Sequence, residues 1–207
     1  MLRFVLSVVF MLITAIASAN SYPEFSEEAY ARSLNLKLLL SPEEIHERIV
    51  KHGKILSEKY HDKEVAIVMI MKGAACFATD LIRQMPIDAS LQYIQCSSYG
   101  HNGIQRGELT ISGIEELDIE GKHVLLVDDI CDSGNTFLTV LELLEKKNPQ
   151  SLATVALLTR KENSSPYRPD YGLFTIDNDA FVVGYGLDYK ELYRNLQGIY
   201  FFAKMPS

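Results

Sequence analysis

From Ser41 onward the chain alternates short apolar runs with segments of helical period. Val65–Met71 (VAIVMIM) is continuously apolar, the signature of a strand buried on both faces. Leu91–Cys96, His123–Val127 and Leu152–Thr159 read as further strands, and Leu173–Ile176 and Phe181–Tyr185 as shorter β segments. Between them lie helical stretches. Ser41-Pro42-Glu43-Glu44 has the form of a helix start, with a capping serine, proline in the first turn and a glutamate that closes a capping box. Ile45, Ile49, Leu56 and Tyr60 then follow on one face. Ala74–Gln84 and Phe137–Lys147 read as two more helices. Ser97–Arg106 (SSYGHNGIQR) is polar and glycine-containing, so it reads as a loop, with Leu109–Ile114 a strand at its end. Its length suits a mobile flap over a site. Tyr22–Leu40 carries no strong signal. Alternation of strand and helix predicts one α/β domain, an open, mostly parallel sheet with helices on both faces.

The N-terminus stands apart. Arg3 precedes an almost wholly apolar Phe4–Ala17, and Ala17-Ser18-Ala19 is a small-x-small site. Residues 1–19 therefore have the pattern of a secretory signal peptide. An uncleaved hydrophobic anchor and a start assigned upstream of the true one are the alternatives.

Composition narrows the class. The chain has 207 residues, 47% hydrophobic and 23% charged, which suits a folded protein with its own core. A formal net charge of -7 argues against a general nucleic-acid or anionic-membrane binder. It leaves open a phosphate site built from backbone N–H groups and Mg2+. Cys76, Cys96 and Cys131 are odd in number and form no CxxC pair, so they read as small buried hydrophobes.

The chemistry concentrates in Val124–Thr136 (VLLVDDICDSGNT). Four apolar residues end in the acids Asp128 and Asp129, and Asp132-Ser133-Gly134-Asn135-Thr136 leads into a helix. Ligands of open α/β sheets bind beyond the carboxyl ends of strands. Ser133, Thr136 and the N–H groups of Ser133–Thr136 can donate to a phosphate, assisted by the positive end of the helix. Gly134 lets the backbone come close. Adjacent carboxylates accept hydrogen bonds from vicinal hydroxyls. Acids beside a phosphate cup therefore suit a ligand with both a ribose and a phosphate.

This segment resembles the phosphoribosyl-pyrophosphate signature of the type I phosphoribosyltransferases. Lys72-Gly73 after a buried strand, Ser98-Tyr99 in the loop, and Phe181–Tyr189 (FVVGYGLDY) with Arg194 are similar to the hypoxanthine–guanine phosphoribosyltransferases. The resemblance runs from about Ser41 to Phe202, residues 41–202, and implies the type I fold with a small hood and a mobile flap. It implies a purine-salvage transferase that makes IMP or GMP from hypoxanthine or guanine and phosphoribosyl pyrophosphate. Asp132 would be the general base. Lys72, Gly73, Asp128, Asp129, Ser133, Gly134, Asn135, Thr136 and Arg194 would bind phosphoribosyl pyrophosphate, with a cis peptide at Lys72-Gly73. Phe181, Val182, Leu187 and Arg160 would meet the purine. Asp128, Asp129 and Asp188 would serve Mg2+, and Ser98 and Tyr99 would close over the site. A homo-oligomer, dimer or tetramer, goes with this family, and the cytosolic pool of purine and substrate favours a cytoplasmic location against the apparent signal peptide.

Two departures matter. Asp128 stands where the family more often has Glu, and Arg160 where it usually has Lys. Either Arg160 substitutes as the purine donor or Lys161 swings in. Asp177–Ala180 also leaves the family's usual turn. Two other classes compete with the enzyme: a nucleotide- and RNA-binding regulator without essential catalysis, and a receiver domain whose acids mimic a phosphoacceptor site. The acidic balance opposes the first, and the phosphate cup after the acids opposes the second.

Overall fold

The computed structural model describes residues 26–98, 109–161, 167–177 and 181–204. In chain order the elements are α1 (Glu27–Ser33), β1 (Leu36–Leu40), α2 (Pro42–Lys59), β2 (Val65–Met71), α3 (Ala75–Arg83), β3 (Ala89–Ser98), β4 (Leu109–Ser112) and β5 (His123–Cys131). They continue with α4 (Asn135–Glu145), β6 (Ser151–Arg160), β7 (Tyr171–Ile176), β8 (Val182–Val183) and β9 (Ile199–Phe202).

Six strands form the main sheet in the order β4-β3-β2-β5-β6-β7. All pairs are parallel except β3 with β4. Side chains alternate between its faces, as strand geometry requires. On one face, Ile67 of β2 and Leu125 and Val127 of β5 pack with Ile45, Ile49 and Leu56 of α2 and Phe77 and Leu81 of α3. On the other, Val68 and Ile70 of β2 and Leu126 of β5 meet Phe137, Val140 and Leu144 of α4. Each such fully buried side chain contributes about 1.5–3 kcal/mol relative to exposure. The α/β fold with helices on both faces, read from the sequence, is the observed one.

The expected capping box at α2 is present. Ser41 Oγ accepts from Glu44 N at 3.2 Å, and Ser41 N donates to Glu44 Oε2 at 2.8 Å. Elsewhere the boundaries shift. β5 runs four residues past Val127, because β6 continues to pair with it as far as Cys131↔Thr159. Phe181–Tyr185 shrinks to the two residues of β8, because Gly184 (φ 97) and Tyr185 (φ 51) leave the extended region.

A second, antiparallel sheet has the order β1-β9-β8. β1 lies in the stretch that carries no sequence signal. Its partner β9 is at the far end of the chain, and a bulge between Leu38 and Leu40 breaks its alternation. Helix α1 belongs to a separate unit, Met1–Leu34. It is capped by Ser26, whose Oγ accepts from Ala29 N at 3.2 Å.

Cys76 departs from expectation. Cys131 is buried and Cys96 partly so, but Cys76 is exposed. Phe77 and Ala78 take the buried face of α3 and turn Cys76 outward. Among the described residues no helix is long and apolar enough to cross a membrane. The N-terminal segment 1–19 lies outside the described residues.

Candidate active site

The strand order places an opening at one point. β3 joins one edge of β2 and β5 the other, so the connections leave the sheet in opposite directions there. Open α/β sheets form their ligand crevice at such a point. β2 and β5 pair only up to Met69↔Val127, after which β5 is held by β6 alone. Asp128 and Asp129 therefore project where β2 has already turned away. A cavity of about 410 Å³ opens at this place. It is lined by Lys72 and Gly73 after β2, by every residue from Asp128 to Phe137, and by Asp188 and Arg194.

The turn after β2 is fitted closely to the acids. A Cβ on Gly73 would lie 2.0 Å from Asp129 Oδ2, so only glycine permits this approach. The cis peptide is Met71–Lys72, one bond earlier than the expected Lys72-Gly73. Met71 is still paired with Gln95 of β3, so the bond sits where the sheet ends and the turn begins.

Asp128 and Asp129 are held in place by the chain itself. Asp129 N donates to Asp128 Oδ1 at 2.9 Å, and Ile130 N to Asp129 Oδ1 at 2.8 Å. Burial pushes the Asp128 carboxyl well above the usual carboxylate range, and the charge of Asp129 pushes it further. Burial also raises Asp129, against the opposing pull of hydrogen bonds from Asp128 and the backbone and of Arg194. A pair of this kind favours a proton, hydroxyl donors or a cation beside it.

Beyond β5 the chain turns through Ser133 and Gly134 into α4. Gly134 is the N-cap residue at φ 73, and α4 has no side-chain cap. Its first-turn N–H groups thus border the cavity, where the helix end attracts an anion.

The opposite wall is cationic. Arg194 Nη1 donates to Gly186 O at 2.7 Å, and Nη2 pairs with Asp188 Oδ1 at 2.8 Å. Its Nε is buried and has no hydrogen-bond partner among the described residues. A buried donor left over beside a cavity suits an anionic ligand. Lys72 Nζ meets Glu191 Oε2 at 2.9 Å.

Arg160 lies outside the cavity wall and reaches the base candidate. Its Nε is 3.1 Å from Asp132 Oδ1, and its Nη1 donates to Asp177 O at 2.8 Å. Lys161 instead pairs with the carboxylate of Asp177 at 2.7 Å. Of the two cations left open by the sequence, Arg160 is the one directed at the site.

The remaining residues are placed apart from the cavity. Val182 and Leu187 are buried in the core. Phe181 is 44% exposed, with its ring packed against Tyr189 at 5.6 Å and Phe202 at 6.3 Å. Ser98 is the last residue of β3, opposite Leu109. Tyr99 and the rest of the loop expected to form a flap, to residue 106, lie outside the described residues. Sequence reasoning missed Cys96 and Leu109, which line the cavity, and Glu191, which joins Lys72 to Arg194. The only hint of Glu191 was its place three residues before Arg194.

Comparison with known proteins agrees with this fold. The family model described as phosphoribosyl transferase domain matches residues 41–190. Hypoxanthine-guanine phosphoribosyltransferase of Bacillus subtilis is 37% identical over 77% of this chain and 89% of its own length. A crystal structure of a Staphylococcus aureus hypoxanthine phosphoribosyltransferase shares 36% identity and a TM-score of 0.76, covering 83% of this chain and 94% of that one. The Trypanosoma cruzi hypoxanthine phosphoribosyltransferase in complex with the product IMP shares 32% identity and a TM-score of 0.71, over 80% and 93% of the two chains. The bifunctional protein TilS/HprT of Listeria innocua is 35% identical over 77% of this chain, which spans only 25% of that protein. With its fold, its cavity at the β2–β5 opening and its relatives in agreement, the chain belongs to the hypoxanthine-guanine phosphoribosyltransferases of the phosphoribosyl transferase family.

Proposed function

We propose that this protein transfers ribose 5-phosphate from phosphoribosyl pyrophosphate to a ring nitrogen of hypoxanthine or guanine, giving IMP or GMP and pyrophosphate. One observation carries the reading: a single cavity joins the Asp128–Asp129 pair, the start of α4, which has no side-chain cap, and the Nε of Arg194, which has no partner among the described residues. Those three features suit the ribose hydroxyls, the 5-phosphate and the leaving pyrophosphate, in that order.

The cavity lining supports the roles at the phosphate and leaving-group end, and the family resemblance supports those of the purine and flap residues. The N–H groups from Ser133 to Thr136, together with the hydroxyls of Ser133 and Thr136, bind the 5-phosphate. Asp128 and Asp129 accept from the ribose hydroxyls. Lys72, the Gly73 backbone and Arg194 neutralise the pyrophosphate as its bond to the ribose carbon breaks. That carbon gains oxocarbenium character and is captured by the unprotonated imidazole nitrogen of the purine, while the proton on the other imidazole nitrogen passes to Asp132. The pair with Arg160 orients the Asp132 carboxylate, and Arg160 offers donors to the purine 6-oxo group. Phe181 stacks on the purine, and the backbone of Val182 and Leu187 frames its edge. Ser98 and Tyr99 belong to the flap that excludes water.

Mg2+ fits the donor set. The acids at the cavity are carboxylates only, the oxygen ligands that a hard cation prefers. No group of three or more candidate ligands is clustered among the described residues. Asp128 and Asp129 would thus face one Mg2+ and Asp188 a second, each completed by substrate oxygens, the usual arrangement for Mg2+ at phosphate sites. When bound, it supplies positive charge to the pyrophosphate oxygens.

Within this reading the catalytic domain spans 41–202, acts in the cytoplasm and forms a dimer or tetramer. Leu91 and Tyr93, exposed and two residues apart on β3, supply an apolar surface for such assembly. The test is turnover of hypoxanthine, guanine and xanthine with phosphoribosyl pyrophosphate and Mg2+. The expected result is IMP and GMP. No nucleotide from any of the three bases would overturn the reading.

A further inference from the structure

The segment Tyr189–Arg194 is built in an unusual way. Lys190 (φ 52), Glu191 (φ 66) and Tyr193 (φ 73) all occupy the left-handed region, and none is glycine or asparagine. Left-handed backbone at such residues is uncommon and gathers at functional sites. The turn is closed by reciprocal hydrogen bonds between Tyr189 and Leu192, at 3.2 and 3.0 Å. Glu191 N donates to Asp188 Oδ2 at 2.8 Å, which ties the strained residue to an acid lining the cavity.

This backbone sends the Glu191 side chain between two cations. Glu191 Oε2 lies 2.9 Å from Lys72 Nζ and 3.4 Å from Arg194 Nη2. Lys72 follows β2, more than a hundred residues earlier in the chain, so one carboxylate oxygen joins the two walls of the cavity. Lys72 and Arg194 both line that cavity, and Glu191 does not. The hydrogen bond from Lys72, and then the charge of Arg194, hold the Glu191 carboxyl below its usual range, so it is an anion at neutral pH.

We propose that Glu191 is an internal counter-anion for the leaving-group site, a positioning residue that holds Lys72 and Arg194 between turnovers and yields them to pyrophosphate. This rests on the reading that those two cations receive the pyrophosphate. The same N–H donors cannot fully serve both anions. Binding of pyrophosphate therefore exchanges one carboxylate oxygen for phosphate oxygens. The exchange keeps both cations aimed at the cavity and weakens the hold on the product. Lys72 and Glu191 are more than half exposed, so the pairs are individually weak and the exchange is easy.

The test is calorimetric titration of inorganic pyrophosphate, in Mg2+ buffer, into the full chain and three variants. Glu191→Gln keeps the shape and removes the charge. It is expected to bind pyrophosphate roughly three- to tenfold more tightly, as for loss of one or two exposed ion pairs. Glu191→Asp keeps the charge but is one methylene too short to bridge both cations, and a smaller change in the same direction is expected. In steady state, Glu191→Gln should lower KM for phosphoribosyl pyrophosphate and leave KM for hypoxanthine unchanged, a split that a general packing defect would not give. Equal or weaker pyrophosphate binding in both variants would overturn the proposal. Arg194→Ala separates the two levels. If it binds pyrophosphate as the wild type does, the assignment of the leaving-group site itself fails. If it loses binding while the Glu191 variants match wild type, only the role of Glu191 fails.

Discussion

Arg160 Nε stands 3.1 Å from Asp132 Oδ1, so the cation at the end of β6 and the acid in the turn between β5 and α4 form one hydrogen-bonded unit. Arg160 also donates to the carbonyl of Asp177, and its planar fork is what allows both contacts. Replacing it with Met removes this contact to Asp132 and, in the proposed reading, a donor to the purine. Loss of a hydrogen bond to a charged group is worth about 1.5–3 kcal/mol, so kcat/KM for hypoxanthine should fall about 10- to 100-fold. Arg160→Lys keeps the charge but reaches one partner, and a loss of only several-fold is expected. Steady-state kinetics of the two variants check this, and a Met variant with wild-type kcat/KM would refute it.

Gly73 is required by the acid it faces. Gly73→Ala would place a methyl group 2.0 Å from Asp129 Oδ2, so the turn or the carboxylate must move. Overpacking of this kind costs about 1–3 kcal/mol. The melting temperature should drop by several degrees, and pyrophosphate affinity should fall by more than about tenfold as the cavity wall shifts. Calorimetry and thermal melts measure both. An unchanged affinity would show that the close approach is immaterial.

The buried acids give a pH dependence with a definite sign. Burial raises the carboxyl of Asp128 in the folded state, with Asp129 adding to it. In the unfolded chain an aspartate titrates near about 3.9. As pH rises past that point the unfolded chain releases its proton first. The stability contribution is thus fully present below about pH 4 and is lost as pH rises through the folded value. Asp128→Asn removes this loss while its oxygen still accepts from Asp129 N. In EDTA its melting temperature should exceed wild type by roughly 2–4 °C at pH 7.5, for about 1 kcal/mol, with a smaller gap at pH 4.5. Binding of phosphoribosyl pyrophosphate should weaken in the same variant, since a site strained for function is relaxed at its expense. A lower melting temperature at pH 7.5 would contradict the account.

The cysteines should differ in reactivity, for the same physical reason. Burial pushes the Cys96 thiol up to about 12 and the Cys131 thiol up to about 11, and nearby Asp128 adds to both. The thiolate is the nucleophile, so both are nearly inert at pH 8. Exposed Cys76 should take up iodoacetamide first, and intact-protein mass spectrometry should show one label well before a second.

The sheet and its helices are legible in the sequence because burial writes itself locally. VAIVMIM admits little else than a strand covered on both faces, and Ser41-Pro42-Glu43-Glu44 forms the capping box it spells. One wall of the cavity is legible too, since Asp128 to Thr136 are contiguous and fold as one strand, turn and helix start. What escapes is decided by partners distant in the chain. β1 is defined by β9, more than 150 residues away, and Leu36–Leu40 shows no alternation that would reveal it. Glu191 matters only because a left-handed turn brings it to Lys72. Arg160 looks like a strand-end cation until Asp132 is placed beside it.

The most direct test is nucleotide formation by the wild type and Asp132→Asn, followed chromatographically from hypoxanthine, phosphoribosyl pyrophosphate and Mg2+. The wild type should yield IMP and pyrophosphate in equal amounts. Asp132→Asn should bind phosphoribosyl pyrophosphate like wild type yet lose about 10²-fold or more in kcat, the share of a positioned general base. Absence of IMP from the wild type, or full turnover by Asp132→Asn, would contradict the account.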